Sequence, residues 1–141
     1  MITNKIDHIG IAVKNIDGVI KFYTEVLGLE LESIETLPEH GVRVAILKTD
    51  GRKIELMEPV TAECPLARFI EKRGEGLHHL GLEVNNVSGA IAELKNKGIT
   101  LIDKVPRPGA GKNKIAFVHP NESKVLLELV EPLAPSNDVR D

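Results

Sequence analysis

Two histidines and two glutamates stand in strand-like runs that each occur twice. His8-Ile9-Gly10-Ile11-Ala12-Val13 returns as His79-Leu80-Gly81-Leu82-Glu83-Val84, and Ile54-Glu55-Leu56-Met57-Glu58-Pro59 returns as Leu127-Glu128-Leu129-Val130-Glu131-Pro132. Burying an unpaired carboxylate costs several kcal/mol even after relaxation, so a glutamate between Leu127 and Leu129 needs a cation or a partner. Imidazole nitrogen and carboxylate oxygen bind divalent ions at about 2.0 to 2.2 Å, and a donor set of this kind without cysteine suits Zn, Co, Ni, Mn or Fe(II). His8, Glu55, His79 and Glu128 are therefore candidate ligands of one divalent ion shared by the two copies. The plain alternative is a glutamate on the solvent face of each strand and a histidine satisfied in the core. For a single residue that alternative is the commoner one, but repetition in register favours the metal. Three ligands without Glu55 would serve a catalytic metal with open positions equally well.

Glu39 is the other acid of interest, in Leu37-Pro38-Glu39-His40-Gly41-Val42. The corresponding place in the second copy, Pro108-Gly109-Ala110-Gly111-Lys112-Asn113, has no acidic residue. A residue that one copy lacks is not required by the fold, which makes Glu39 a candidate for function, although by residue type and place alone an ordinary solvated turn glutamate is the commoner outcome. The Gly-rich loop itself lacks the strand-to-helix context of a phosphate-binding loop. His78 has the parity of Leu80, Leu82 and Val84 and reads as structural, directed between sheet and helices. His119, before Pro120, reads as a turn-capping histidine.

The elements that must position these residues follow from periodicity. Residues 5–13 alternate with period two, Ile9, Ile11 and Val13 on one face and His8, Gly10 and Ala12 on the other, as a strand requires. Helical spacing follows at Ile16, Val19, Ile20, Tyr23 and Leu27, with Asn15 or Asp17 as N-cap and Gly28 as stop. It is matched at a constant offset by Val87, Ala90, Ile91 and Leu94. Strands are expected over 29–34, 42–47 and 53–57, a short connecting helix over 65–72, then a strand over 77–84, a helix over 87–97, and strands over 99–102, 114–118 and 124–130, with a loop over 106–113 and a turn over 119–122. The fold class is α+β: two paired β-α-β-β-β modules forming one curved eight-stranded sheet with helices on the outer face. A single domain is expected, with module one over 5–58, a connection over 59–76, module two over 77–132 and a mobile tail over 133–141.

With 141 residues the chain can bury a core but falls short of two independently stable domains. A formal charge of −3, no basic block and few aromatic residues argue against nucleic acid as a partner. The apolar runs are strand-sized, the N-terminus has no signal-like apolar stretch, and Cys64 is the lone cysteine, so no intrachain disulfide can form. The expectation is a cytoplasmic protein without membrane association.

The His8–Val13 strand, the helix Phe22-Tyr23-Thr24-Glu25-Val26-Leu27-Gly28, Gly76-Leu77-His78-His79-Leu80 and Leu126-Leu127-Glu128-Leu129 resemble the vicinal-oxygen-chelate superfamily, which is built from paired β-α-β-β-β modules. The resemblance covers residues 5–132. Within it, Leu37-Pro38-Glu39-His40-Gly41-Val42, Lys53-Ile54-Glu55-Leu56, Pro65-Leu66-Ala67-Arg68-Phe69-Ile70 and Phe117-Val118-His119-Pro120 are similar to the methylmalonyl-CoA epimerase family. The loop Gly109-Ala110-Gly111-Lys112-Asn113 departs from the Gly-Ala-His-Gly-Lys that this family often shows. Carried over residue by residue, the resemblance implies His8, His79 and Glu128 as metal ligands with Glu55 at the fourth position, one Co, Zn, Mn or Ni ion per chain, and Glu39 as an acid/base residue; Glu128, doubling as a ligand, is assigned as the other. It implies a small-molecule acyl-CoA substrate, a homodimer, and epimerisation at C2 through an enolate. Glyoxalase I chemistry, a 2-His-1-Glu iron dioxygenase and a metal-free ligand-binding protein of the same fold remain the alternatives.

Overall fold

The structure is a computed structural model that describes residues 3–133, so the tail expected over 133–141 lies, apart from Leu133, outside the described residues. The described residues divide into two compact units, one of His8–His78 and one of residues 3–7 together with residues 79–133. The strands are β1 (Thr3–Ala12), β2 (Glu30–Leu37), β3 (Val42–Lys48), β4 (Lys53–Pro59), β5 (Gly76–Val84), β6 (Arg107–Pro108), β7 (Lys114–Val118) and β8 (Leu127–Glu131). The α-helices are α1 (Pro65–Arg73), α2 (Val87–Asn96) and the single turn α3 (Pro120–Ser123). No helix among the described residues is long and apolar enough to cross a membrane.

In the first unit the strand order is β2-β3-β4-β1, with β1 parallel to β4 and the other pairs antiparallel. Ile11, Val13, Ala45, Leu47, Ile54 and Leu56 form one apolar face, against which Ile16, Val19, Ile20 and Tyr23 pack. Strand alternation puts His8, Gly10, Ile46 and Glu55 on the reverse face. Ile9, assigned to the apolar row by its parity, is 39% exposed. The helix expected over 16–27 is instead a 3-10 turn at Ile16–Gly18, capped by Asn15, followed by a π-helical stretch at Phe22–Val26. Leu27 N–H donates to Phe22 O at 3.0 Å, five residues back. That wider turn carries one residue more than a 3.6-residue stripe allows, so Leu27 rotates outward to 53% exposure while Leu29, beyond Gly28, joins the apolar cluster.

The second unit repeats the plan with the order β5-β8-β7-β6, β5 parallel to β8. Helix α2, capped by Asn86, lays Val87, Ala90 and Ile91 on Val84, Ala116, Val118 and Leu129. The strand expected over 99–102 reduces to a single bridge, Leu101 to Val118. Ile102 and Asp103 both donate their N–H to Phe117 O, at 3.0 and 3.1 Å, and the Asp103 carboxylate accepts Phe117 N–H at 2.9 Å. A side chain thus takes the acceptor place that a paired strand would fill, and the chain leaves the ladder until β6, which lies inside the expected loop 106–113. Lys124, at φ +68, delays β8 to Leu127, and the turn over 119–122 becomes α3, with His119 Nδ1 accepting Asn121 N–H at 3.1 Å.

The second glutamate of each repeated strand ties a helix to its sheet. Glu58 lies three residues beyond Glu55, hence on the opposite face, and its Oε1 accepts Ile16 N–H at 2.7 Å; Glu131 Oε1 likewise accepts Val87 N–H at 2.9 Å. The first N–H groups of a helix have no partner within it, and a carboxylate there also meets the positive end of the helix dipole. Glu131→Ala should cost about 1 kcal/mol, a fall in Tm of roughly 3 °C in a thermal melt. An unchanged Tm would show that Val87 N–H finds another acceptor.

Candidate active site

On the face of the strands away from the apolar cluster, a parallel strand pair in each unit brings one histidine to one glutamate. Glu55 is in register with Gly10 and Glu128 with Gly81, in each case the glycine two residues beyond the histidine and on its face. With no Cβ at that glycine, the glutamate side chain has room to lean toward the imidazole. His8 Nε2 lies 3.6 Å from Glu55 Oε1, and His79 Nε2 lies 2.8 Å from Glu128 Oε1. All four residues are buried. The second distance is a hydrogen bond and the first is a looser ion-pair distance. Among the described residues no buried side-chain nitrogen or oxygen lacks a hydrogen-bond partner.

The donor set fits a divalent ion. Ligands about 2.1 Å from one ion stand about 3.0 Å apart across a right angle and about 3.4 Å apart across a tetrahedral angle. The observed 2.8 and 3.6 Å bracket that range, and each pair supplies one imidazole nitrogen and one carboxylate oxygen. The surroundings of the two pairs differ. Phe117 is in register with Glu128 on β7, and its ring stands edge-on to the His79 imidazole, centroids 5.8 Å apart; the residue in register with Glu55 is the aliphatic Ile46.

Glu39 is exposed, in the turn that joins β2 to β3. Gly41 N–H donates to both Leu37 O and Pro38 O, and Gly41 O accepts Val60 N–H at 2.9 Å. Gly41 holds φ +70, and a Cβ there would come within 2.9 Å of Cys64 Cβ, so the turn rests against the start of α1 in a conformation and a space that glycine suits. The buried Cys64 therefore packs against the turn that carries Glu39.

The sequence-based candidates fall into three settings: His8 with Glu55 and His79 with Glu128 in buried pairs, and Glu39 on an exposed turn. His78 is half-buried with its ring edge-on to Phe69 of α1 at 4.6 Å, in the structural role its parity implied. Sequence reasoning passed over the helix-tying Glu58 and Glu131 and the buried Asp103. The first two carried a signal, because they repeat in register with Glu55 and Glu128; the bond that Asp103 makes to Phe117 carried none, since the donor is a backbone N–H.

Residues 7–117 match the family model of the glyoxalase/bleomycin resistance protein/dioxygenase superfamily. The chain is 45% identical over 130 residues to the uncharacterized protein YqjC of Bacillus subtilis, covering 92% of this chain and 93% of that protein. It is 34% identical over 127 residues to the mitochondrial methylmalonyl-CoA epimerase of Mus musculus, covering 89% of this chain and 71% of that protein. A solved structure of a Streptomyces coelicolor methylmalonyl-CoA epimerase variant in complex with 2-nitronate-propionyl-CoA superposes with a TM-score of 0.88 at 34% identity, over 94% of this chain and 96% of that one. Fold, paired histidines and glutamates, and relatives agree: the chain belongs to the methylmalonyl-CoA epimerase family of the glyoxalase/bleomycin resistance protein/dioxygenase superfamily.

Proposed function

We propose that this protein interconverts the (R) and (S) forms of methylmalonyl-CoA by removing and returning the proton at C2, with one divalent ion held by His8, Glu55 and His79 and by Glu128, the hydrogen-bonded partner of His79. The observation that carries the reading is the buried His–Glu pair made twice in the same register, in a chain whose relatives of that name match it along nearly its whole length. The C2 proton lies between a thioester and a carboxylate, and its removal leaves an enolate. A bound divalent ion supplies Lewis-acid stabilisation of the negative charge that develops there. Glu39 accepts the proton on one face of C2, and Glu128 returns one on the other; in the reverse direction the two exchange roles. With Glu128 serving one face of C2, a single further carboxylate suffices for the other, which accounts for a Glu39 that the partner loop does not repeat. Among Co, Zn, Mn and Ni the donor set makes no choice. The protein acts as a cytoplasmic homodimer in this reading.

The reading is tested by incubation with (R)-methylmalonyl-CoA in heavy water, which should give deuterium at C2 together with the (S) form. Turnover of a glutathione hemithioacetal without that exchange would replace it with glyoxalase chemistry. Purified protein should hold close to one divalent ion per chain. His79→Ala should lose most of it while Glu93→Ala, half-buried on α2 and paired with Lys97, keeps it; equal metal content in the two variants would remove His79 from the ligand set.

Glu39→Gln retains the shape of the turn residue and removes the proton-accepting carboxylate. Metal content and Tm should stay near parental values while epimerisation falls by about 10²- to 10⁴-fold. With Glu128 intact, the variant should still exchange the C2 proton of one epimer without inverting it. Epimerisation at the parental rate would leave Glu39 as a turn glutamate and place the base elsewhere.

A further inference from the structure

The two copies bulge at the same place and then part. In the first unit β2 shifts register between Leu31 and Ser33, so that Leu31 pairs with Leu47 and Ser33 with Ile46, and the ladder continues to Leu37. In the second, Leu101 bridges to Val118, Ile102 is the bulged residue, and Asp103 meets Phe117, where the ladder stops. Asp103 therefore stands where Ser33 does, and Phe117 where Ile46 does. Beyond Ser33 four further pairs support β3; beyond Asp103 the chain is out of the sheet until Arg107 pairs with Ile115. Phe117 N–H, which would otherwise face that gap, donates to Asp103 Oδ2 at 2.9 Å, while Asp103 Oδ1 lies 3.4 Å from Arg107 Nη1. The carboxylate is buried, so the bond is shielded from water. The residue it pins presents its ring edge to His79, interplanar angle 89°.

We propose that Asp103 is a positioning residue for His79, acting through the backbone and ring of Phe117; the proposal rests on the metal reading above only for its consequence in ion affinity. The imidazole is turned toward Glu128 on one side and walled by the Phe117 ring on another. Its orientation thus depends on a strand that, at that residue, is held on its outer edge by Ile102 and Asp103 N–H at the carbonyl and by the Asp103 side chain at the N–H. The first unit needs no such device because Ile46 is held by a continuous ladder. Partners of this kind, beyond the ligands themselves, typically change metal affinity 10- to 100-fold when removed.

The test compares Asp103→Ala, Asp103→Asn and Phe117→Leu with the parent, using a core variant, Leu94→Ala, as a control for general destabilisation. In the metal-free proteins the His79 imidazole proton shifts are read by NMR, and the affinity for Co2+ alone by calorimetry. Asp103→Ala should move the His79 shifts and weaken Co2+ binding about 10-fold. Asp103→Asn, which keeps an acceptor for Phe117 N–H and loses the charge facing Arg107, should match the parent in both. Phe117→Leu should weaken Co2+ to a similar degree, and the Asp103→Ala/Phe117→Leu double variant should bind no more weakly than either single variant. If Asp103→Ala does not fold, Asp103→Leu fills the space without an acceptor. Parental His79 shifts in the alanine variant, or an equal loss of Co2+ binding in Leu94→Ala, would overturn the proposal. A parent that binds no Co2+ would overturn the metal reading, and the His79 shifts would still decide whether Asp103 positions the ring.

Discussion

A carboxylate buried in the middle of an aliphatic strand must find a cation or a proton donor, and much else in this chain follows from that requirement. The parallel pairings of β1 with β4 and β5 with β8 satisfy it by setting each glutamate opposite a glycine two residues beyond a histidine. A slip of one residue would turn Glu55 or Glu128 into the apolar layer under the helices and turn leucine out in its place. Register is therefore fixed from both faces at once. The same strands use the other parity for architecture, since Glu58 and Glu131, three residues on, reach the opposite face and hold the helix starts.

Within this shared plan the two copies depart from each other around the histidine–glutamate pairs. One pair is hydrogen-bonded beside an aromatic ring, the other is looser beside an isoleucine. One copy carries an acid on a turn that Gly41 holds against Cys64; the other has a glycine-rich loop packed so closely that a Cβ on Gly109 would come within 2.7 Å of Ile115. One edge strand is continuous, the other is interrupted and sealed by Asp103. A reaction with distinct proton-removing and proton-returning sides calls for asymmetry of this kind, and a duplicated scaffold acquires it without altering the pairs themselves.

The repeat made the architecture legible. Period-two alternation and helical spacing at constant offsets gave the repeated strands, the place of each helix and the four paired residues, because those features are local or repeat locally. Where backbone geometry competed with pattern, the reading went astray. The apolar stripe through Leu27 implied a regular helix, yet the π-helical turn swung that residue into solvent. The aliphatic run at 99–102 implied a strand, yet one side-chain acceptor at Asp103 replaced the ladder beyond Leu101.

By itself the sequence determined which residues recur, which face of each strand they occupy, and that two histidines and two glutamates are set among apolar neighbours. Tertiary structure decided the rest: that each glutamate reaches its own copy's histidine, at 3.6 and 2.8 Å, that Glu58 and Glu131 serve the helices, and that Asp103 supports Phe117. The reason is physical. Face and burial follow from the period of a single strand, whereas distances between side chains depend on which strands pair and in what register. A bond to a backbone N–H, such as that of Asp103, leaves no complementary residue type in the sequence to reveal it.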